Sequence, residues 1–510
     1  MGAWRSPSPR PSVAITVWSI LLWLTGVLAI SAVAIRTAAA VEPLLEEGQV
    51  DPVVEEGPID LEDVLDSVER SYPLLLAALV EIERIEAEAL AARGAFDTRL
   101  LASGAASPTG FYDHYTGDMG IEQPTRLWGA RLFAGYRIGR GDFPSYMGGD
   151  ETNESGEVRA GVEVPLLKGG ITDESRTRLR MTELGQQAVL PQVEQRRIEI
   201  VRDASETYWD WVAMGLNVQV ERRLLATAEA RQAQFQGQAE RGAIPRVQLV
   251  DNERLIVDRK IRLRGAERDA REAAVALSLF FRDEAGRTVL PPAERVPGDF
   301  PPEYLWGEAQ LERDIARASE AHPILRELRL RRQQIEATVA RDRNALLPDL
   351  RLQLEGSQDF GESAKGIDTK GNVSDDPKDQ TEVKASLRLE LPVLQRQARG
   401  RLVQSQADLR RLDYEIGFQR DRIQAEILRA TAALEAAYDQ TNLARENLEL
   451  AQQLERAEER KLSLGSSNLI NVNIRELQAA DAARALIFAQ AAYFRSLARY
   501  QAAVATYDAD

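Results

Sequence analysis

The chain has 510 residues, 44% apolar and 28% charged, enough to bury a large core. Its formal charge is −16, and the first forty residues carry Arg5, Arg10 and Arg36 with no acid, which leaves the rest at −19 and excludes a nucleic-acid partner. The absence of cysteine excludes disulfides, thiolate metal sites and a lipid-modified N-terminal cysteine, and only His114 and His322 remain for histidine chemistry.

Residues 1–40 read as an export signal. Arg5 and Arg10 form a sparse positive start, Val13 to Ile35 is almost wholly apolar, and Ala38-Ala39-Ala40 supplies small residues for cleavage. The apolar run is long for a signal, so an uncleaved N-terminal anchor is the alternative. Residues 41–57 are acidic, contain proline and are expected to be flexible. No later stretch approaches about 18 consecutive apolar residues, so any part of the body that enters a membrane must do so as strands of a closed barrel.

Residues 58–287 form a first unit. Ser71-Tyr72-Pro73-Leu74-Leu75 opens a helix at a proline. Strands follow over 97–166, where Val158, Ala160, Val162 and Val164 alternate with Arg159, Gly161 and Glu163. Phe111, Tyr112, Tyr115, Trp128, Phe133, Tyr136, Phe143 and Tyr146 gather here and suit an interfacial girdle. Thr109 to Pro124 and Gly139 to Gly156 read as outer loops, and the region has room for an extra hairpin. A helix over 171–239 places Val201, Ala204, Tyr208, Trp211, Val218 and Leu225 on heptad spacing, with a kink expected at Pro191. At 1.5 Å per residue it would span about 100 Å. Gly242 breaks the pattern, and a helix over 246–283 follows. Residues 288–306 carry Pro291, Pro292, Pro297, Pro301 and Pro302 and read as an irregular linker outside the helices, near mid-height.

Residues 307–506 repeat the landmarks. Ala321-His322-Pro323-Ile324-Leu325 opens a helix, and strands are expected over 349–391. Val383, Ala385, Leu387 and Leu389 alternate with Glu382, Lys384, Ser386, Arg388 and Glu390. Charge at nearly every second position suits a lipid-facing barrel strand, with its charges turned inward, better than a soluble sheet. Gly356 to Gln380 reads as a long polar loop. The helix over 396–462 carries two apolar rows, one through Ile423, Ile427 and Leu434 and one through Leu428, Leu443, Leu450 and Leu454, so it packs on two sides. Gly465 breaks it before a last helix over 468–505. Pro165 to Gly242 is 77 residues and Pro392 to Gly465 is 73, a difference of about one helical turn. Two tandem copies account for this order. The fold class is α+β, with barrel strands continued by a long antiparallel coiled-coil tunnel.

Taken together, these features resemble the TolC-like outer membrane efflux protein family over about residues 60 to 505. The resemblance rests on Tyr72-Pro73-Leu74 and His322-Pro323-Ile324, on Leu347-Pro348-Asp349-Leu350, on Val164 to Leu167 with Lys168-Gly169-Gly170, and on the breaks at Gly242 and Gly465. It implies a homotrimer in the cell outer membrane with its helical part in the periplasm. Four strands per chain would form a twelve-stranded barrel above a twelve-helix tunnel. It implies a passive exit duct for a tripartite efflux pump or type I secretion system, working with a periplasmic adaptor (membrane fusion protein) and an inner-membrane transporter of the RND, ABC or MFS type. Two positions depart from the family. Phe96-Asp97 opens the first strand where Leu-Pro is usual, and Asn471 stands where an aspartate is expected, so a ring of Asn side chains there would hydrogen-bond without holding cations.

The two glycine breaks are expected to be hairpin tips at the far end of the tunnel, serving as iris and adaptor dock. Arg241, Gly242, Val247, Gln248, Asp251, Leu464, Gly465, Asn468, Asn471 and Asn473 are the candidate gating and docking residues. No phosphate-binding glycine loop is present, so energy must come from a partner. No catalytic cluster, cofactor or metal is expected: Asp375-Asp376 and Glu458-Glu459 read as solvated pairs. Two rival classes stay open: a periplasmic coiled-coil adaptor or scaffold, which would explain the helices but not the charged alternating strands, and a secreted enzyme, for which the chain offers no candidate catalytic cluster. Transported cargo is not legible.

Overall fold

A computed structural model describes residues 57–143, 151–241, 245–305, 307–362, 366–367, 373–374 and 381–506. The export signal, nearly all of the acidic segment, Tyr146, Gly242 and Asp375-Asp376 lie outside the described residues.

Helix α1 (Leu61–Ser71) starts where the Asp63 carboxylate accepts from the Asp60 amide at 2.9 Å. Helix α2 (Pro73–Arg93) begins on a proline, whose missing N–H has no role in a first turn. After the strands come α3 (Glu174–Glu240) and α4 (Arg246–Leu277). Asp173 caps α3 by accepting from Arg176 N at 2.8 Å. Pro191 lies buried inside α3 and does not end it. The later residues give α5 (Glu308–Ala321), α6 (Pro323–Asn344), α7 (Arg396–Ser463) and α8 (Leu469–Ala503). Among the described residues no helix is long and apolar enough to cross a membrane.

The two longest helices, α3 with 67 residues and α7 with 68, act as uprights. Toward the sheet α3 packs on α2 and α6; farther away it packs on α4 and α8, and α7 packs on α6 and then α8. Four helices therefore make up the wall at each level. The main core lies where these sets meet. Tyr208, Trp211, Ile427, Leu434 and Tyr493 are buried there, and Trp209 stacks on Phe494 with centroids 4.3 Å apart. The proline-rich linker lies along this belt: Phe300 stacks on Trp209, Val296 is buried, and Tyr304 N donates to Tyr493 Oη at 3.0 Å.

The strands are β1 (Arg99–Ser107), β2 (His114–Pro124), β3 (Arg131–Gly141), β4 (Glu157–Pro165), β5 (Asp349–Asp359), a two-residue ladder of β6 (Gly366–Ile367) with β7 (Val373–Ser374), and β8 (Glu382–Glu390). All but the small ladder form one antiparallel sheet of six strands in the order β1-β2-β3-β4-β5-β8. The resemblance implied four strands per chain; the sheet holds six, because β2 and β3 form an extra hairpin between β1 and β4. This also corrects the reading of Thr109 to Pro124 as a loop: His114–Pro124 is β2. Its Gly117, Gly120 and Pro124 imitate loop composition, while Tyr115, Met119 and Ile121 keep the alternation of a strand. The first strand opens at Arg99, after a short 3₁₀ turn over Gly94–Phe96 rather than directly at Phe96-Asp97.

Candidate functional site

Register assigns each strand residue to a face, because successive side chains alternate. Val162 pairs with Leu132 and Leu354, and Leu354 with Ala385; Val158 pairs with Tyr136, and Ile121 pairs with Leu100. One face therefore carries Leu100, Met119, Ile121, Leu132, Ala134, Ala160, Val162, Val164, Leu352, Val383, Ala385, Leu387 and Leu389; its charge among the strand residues is Arg140 near the end of β3, which donates to Glu154 O. Val383 is 77% exposed and Leu389 65%, an apolar surface that no described residue covers.

The opposite face is charged and cross-linked. Arg137 Nε donates to Asp118 Oδ1 at 3.0 Å, and Arg159 Nη2 donates to the same oxygen at 2.8 Å. Arg351 Nη1 reaches Glu163 at 2.9 Å and Arg131 Nη2 reaches it at 2.5 Å. A Cβ on Gly135 would stand 2.9 Å from Met119 O and 3.3 Å from Gly120 Cα, so the close approach of β2 to β3 on this face needs the small residue. Asp118, Arg131, Arg137, Arg159 and Glu163 line a concavity of about 620 Å³ together with Glu122, Gln353 and Glu355. Of the aromatic set, Phe111 lies exposed in the β1–β2 loop, Trp128 sits in the β2–β3 turn and Tyr136 on the apolar face, whereas Phe133 turns to the charged face. Sequence reading took the whole set as a girdle; the strand register separates Phe133 from it.

The other candidate region is the far end of the helices. Helix α3 ends at Glu240, followed by exposed Arg241, and α4 resumes at Arg246, with Val247 63% exposed, Gln248 half-buried and Asp251 exposed. On the other hairpin Gly465 has φ +71°, a left-handed conformation that ends α7, and Ser466 N donates back to Lys461 O at 2.9 Å. Leu464 is 82% exposed beside it. Asn468 caps α8, its Oδ1 accepting from Asn471 N at 3.0 Å, and Asn471 is exposed. Asn473 turns inward and accepts from Arg231 Nη1 at 2.6 Å.

Sequence reading missed the polar layers behind this tip. Arg231 also pairs with buried Glu476, and Arg484 with buried Glu221. Asn252, fully buried, donates to Gln232 Oε1 at 2.7 Å. Arg259 is buried nearby; burial pulls its guanidinium below the ordinary value, and Glu221 opposes that. Burial likewise holds Glu455 above the usual carboxylate range, reinforced by Glu459 and Glu476. The available signal was charge recurring within rows otherwise filled by alanine and leucine. Among the described residues no acidic or histidine group could hold a metal ion.

No family model matches the chain, and neither does the sequence of any curated protein. Solved structures do match. CusC, studied for the changes that accompany folding and transmembrane channel formation, superposes with a TM-score of 0.59 at 12% identity over 88% of this chain and 92% of its own. The CmeC outer membrane channel of Campylobacter jejuni gives 0.58 at 12% identity over 87% and 85%. The open state of the MtrE outer membrane channel of Neisseria gonorrhoeae gives 0.58 at 15% identity over 87% and 88%. At this identity the likeness concerns architecture, and it runs through strands and helices alike. The chain has the fold of the TolC-like outer membrane channels.

Proposed function

We propose that the chain is one protomer of a homotrimeric exit duct in the outer membrane, a passive channel whose helices extend into the periplasm. One observation carries this reading: a sheet with one face apolar but for Arg140 near the end of β3, an ion-paired opposite face and two edges that no described residue pairs is continued by two unbroken helices. In lipid such a sheet must close with other copies, since open edges leave backbone groups unsatisfied.

The helices supply matching seams. On α4, Val250, Val257 and Ile261 are 59%, 57% and 66% exposed; on α7, Leu443, Leu450 and Leu454 are 65%, 52% and 48% exposed. Both rows step by seven and then four residues, the spacing of a coiled-coil seam. Three copies joined α4 to α7 would place twelve helices around one lumen. The tip residues Arg241, Gly242, Val247, Gln248, Asp251, Leu464, Gly465, Asn468, Asn471 and Asn473 serve as iris and dock for a periplasmic adaptor, with the Arg231–Glu476 pair holding α8 against α3 in the closed state. An inner-membrane transporter supplies the energy, within a tripartite efflux pump or type I secretion system.

Cell fractionation with gel mobility before and after boiling tests the proposal. An outer-membrane oligomer that dissociates only on heating is the expected result. A soluble periplasmic monomer overturns it in favour of a coiled-coil scaffold.

A further inference from the structure

We infer that the assembled barrel has eighteen strands, six from each of three copies, and that the β2–β3 hairpin is a widening insert in the lipid-facing wall rather than a flap folded away from it. The inference rests on the trimeric reading above and goes beyond the twelve strands implied by the resemblance.

Three observations place the hairpin in the wall. First, it is hydrogen-bonded on both sides, β2 to β1 and β3 to β4, without a gap in register. Second, its faces agree with the rest of the sheet: Ile121 and Leu132 continue the apolar surface of Val162, while Asp118 and Arg137 enter the ion-paired surface with Arg159 of β4. A flap would have no reason to keep both faces in phase with its neighbours. Third, its inner turn is fixed to the junction between sheet and helices. Trp128 Nε1 donates to Pro165 O at 2.9 Å, and Arg126 lies over the Phe96 ring at 5.4 Å. Trp128 and Gly129 both adopt positive φ, and a Cβ on Gly129 would come within 2.6 Å of Gly169 O.

The number of strands sets the width. The six strands alternate in direction, so β1 of one copy meets β8 of the next in antiparallel sense, as closure requires. With strands about 4.8 Å apart and tilted about 40°, eighteen strands cover a perimeter of about 110 Å. Twelve helices about 9 Å apart cover about the same perimeter, so barrel and tunnel meet without a step. At equal tilt the barrel is about 1.5 times as wide as one of twelve strands. Such a lumen stays water-filled, and its charged wall suits bulky hydrated cargo. The narrowest passage then lies at the helical tip.

The test uses the full chain, trimer included, in lipid nanodiscs. Electron cryomicroscopy is expected to count eighteen strands around three copies. The chain has no cysteine, so single-cysteine variants label cleanly. A nitrobenzoxadiazole probe on Ile121→Cys or Leu132→Cys should be quenched by doxyl-labelled lipid as strongly as one on Val162→Cys. A trimer whose barrel counts twelve strands, with Ile121→Cys quenched by aqueous iodide instead, overturns the inference and leaves the exit-duct reading intact. Two copies closing a twelve-stranded barrel also overturn it. The lack of any membrane-embedded oligomer would instead sink the exit-duct reading itself.

Discussion

Arg231 of α3 and Glu476 of α8 form an ion pair almost closed to water, with side chains 12% and 5% exposed, and Asn473 accepts from the same guanidinium one turn nearer the tip. Removing one partner of such a pair leaves a buried charge alone, which costs about 3 kcal/mol or more. Arg231→Ala should therefore speed amide exchange in the first turns of α8 and raise the conductance of the channel in planar bilayers. Arg231→Met with Glu476→Leu should restore most of the exchange protection. Unchanged exchange and conductance in Arg231→Ala would mean that the pair does not hold the tip.

His322 sits at the α5–α6 junction, 5% exposed, with its Nδ1 accepting from Ile324 N at 3.3 Å. Burial lowers its pKa from 6.5 to about 4. The fold thus favours the neutral ring, and the unfolded chain binds the proton first. This contribution is complete above about pH 6.5 and is lost as pH falls toward 4, up to about 3 kcal/mol. His322→Asn, which keeps a capping acceptor, should flatten the fall in melting temperature between pH 7 and pH 4.5. Parallel curves for the two proteins would show that other groups set the acid sensitivity.

Gly161 lies where β3, β4 and β5 crowd: an added Cβ would stand 2.3 Å from Leu354 O and 2.5 Å from Phe133 Cζ. Gly161→Val should destabilise the sheet by about 1–3 kcal/mol, the usual cost of overpacking. The dissociation temperature of the heat-modifiable oligomer measures this, and a variant as heat-resistant as the parent would contradict the crowding.

Leu450 of α7 and Val257 of α4 are 52% and 57% exposed within the rows proposed to meet between copies. Aspartate at either position should abolish the oligomer on unheated gels while circular dichroism keeps the helical signal. Oligomers that persist in both variants would place the seam elsewhere.

Much of this architecture is legible in the chain, for different reasons in different places. Heptad rows such as Tyr208, Trp211 and Val218 persist because long helices must bury a continuous stripe. Strands β4, β5 and β8 show because charge alternates with Leu or Val at almost every step. Strand β2 escaped because glycine interrupts each of its faces, Gly117 on one and Gly120 on the other, and short-range composition then favours a loop. At the tip, the glycine that ends α7 was visible, since a left-handed turn there suits glycine. The Arg231–Glu476 contact was not. Its partners lie 245 residues apart, and charges on coiled-coil helices are normally solvated.

The extra hairpin adds two strands, an even number, to one half of the chain. An even insertion returns the chain to the same end of the sheet, and the register keeps Val162 on the apolar face and Glu163 on the charged one. A single added strand would have left α3 emerging on the wrong side. A barrel closed by sheets of this kind would therefore widen only in hairpin-sized increments, each adding the same pair of faces to its wall.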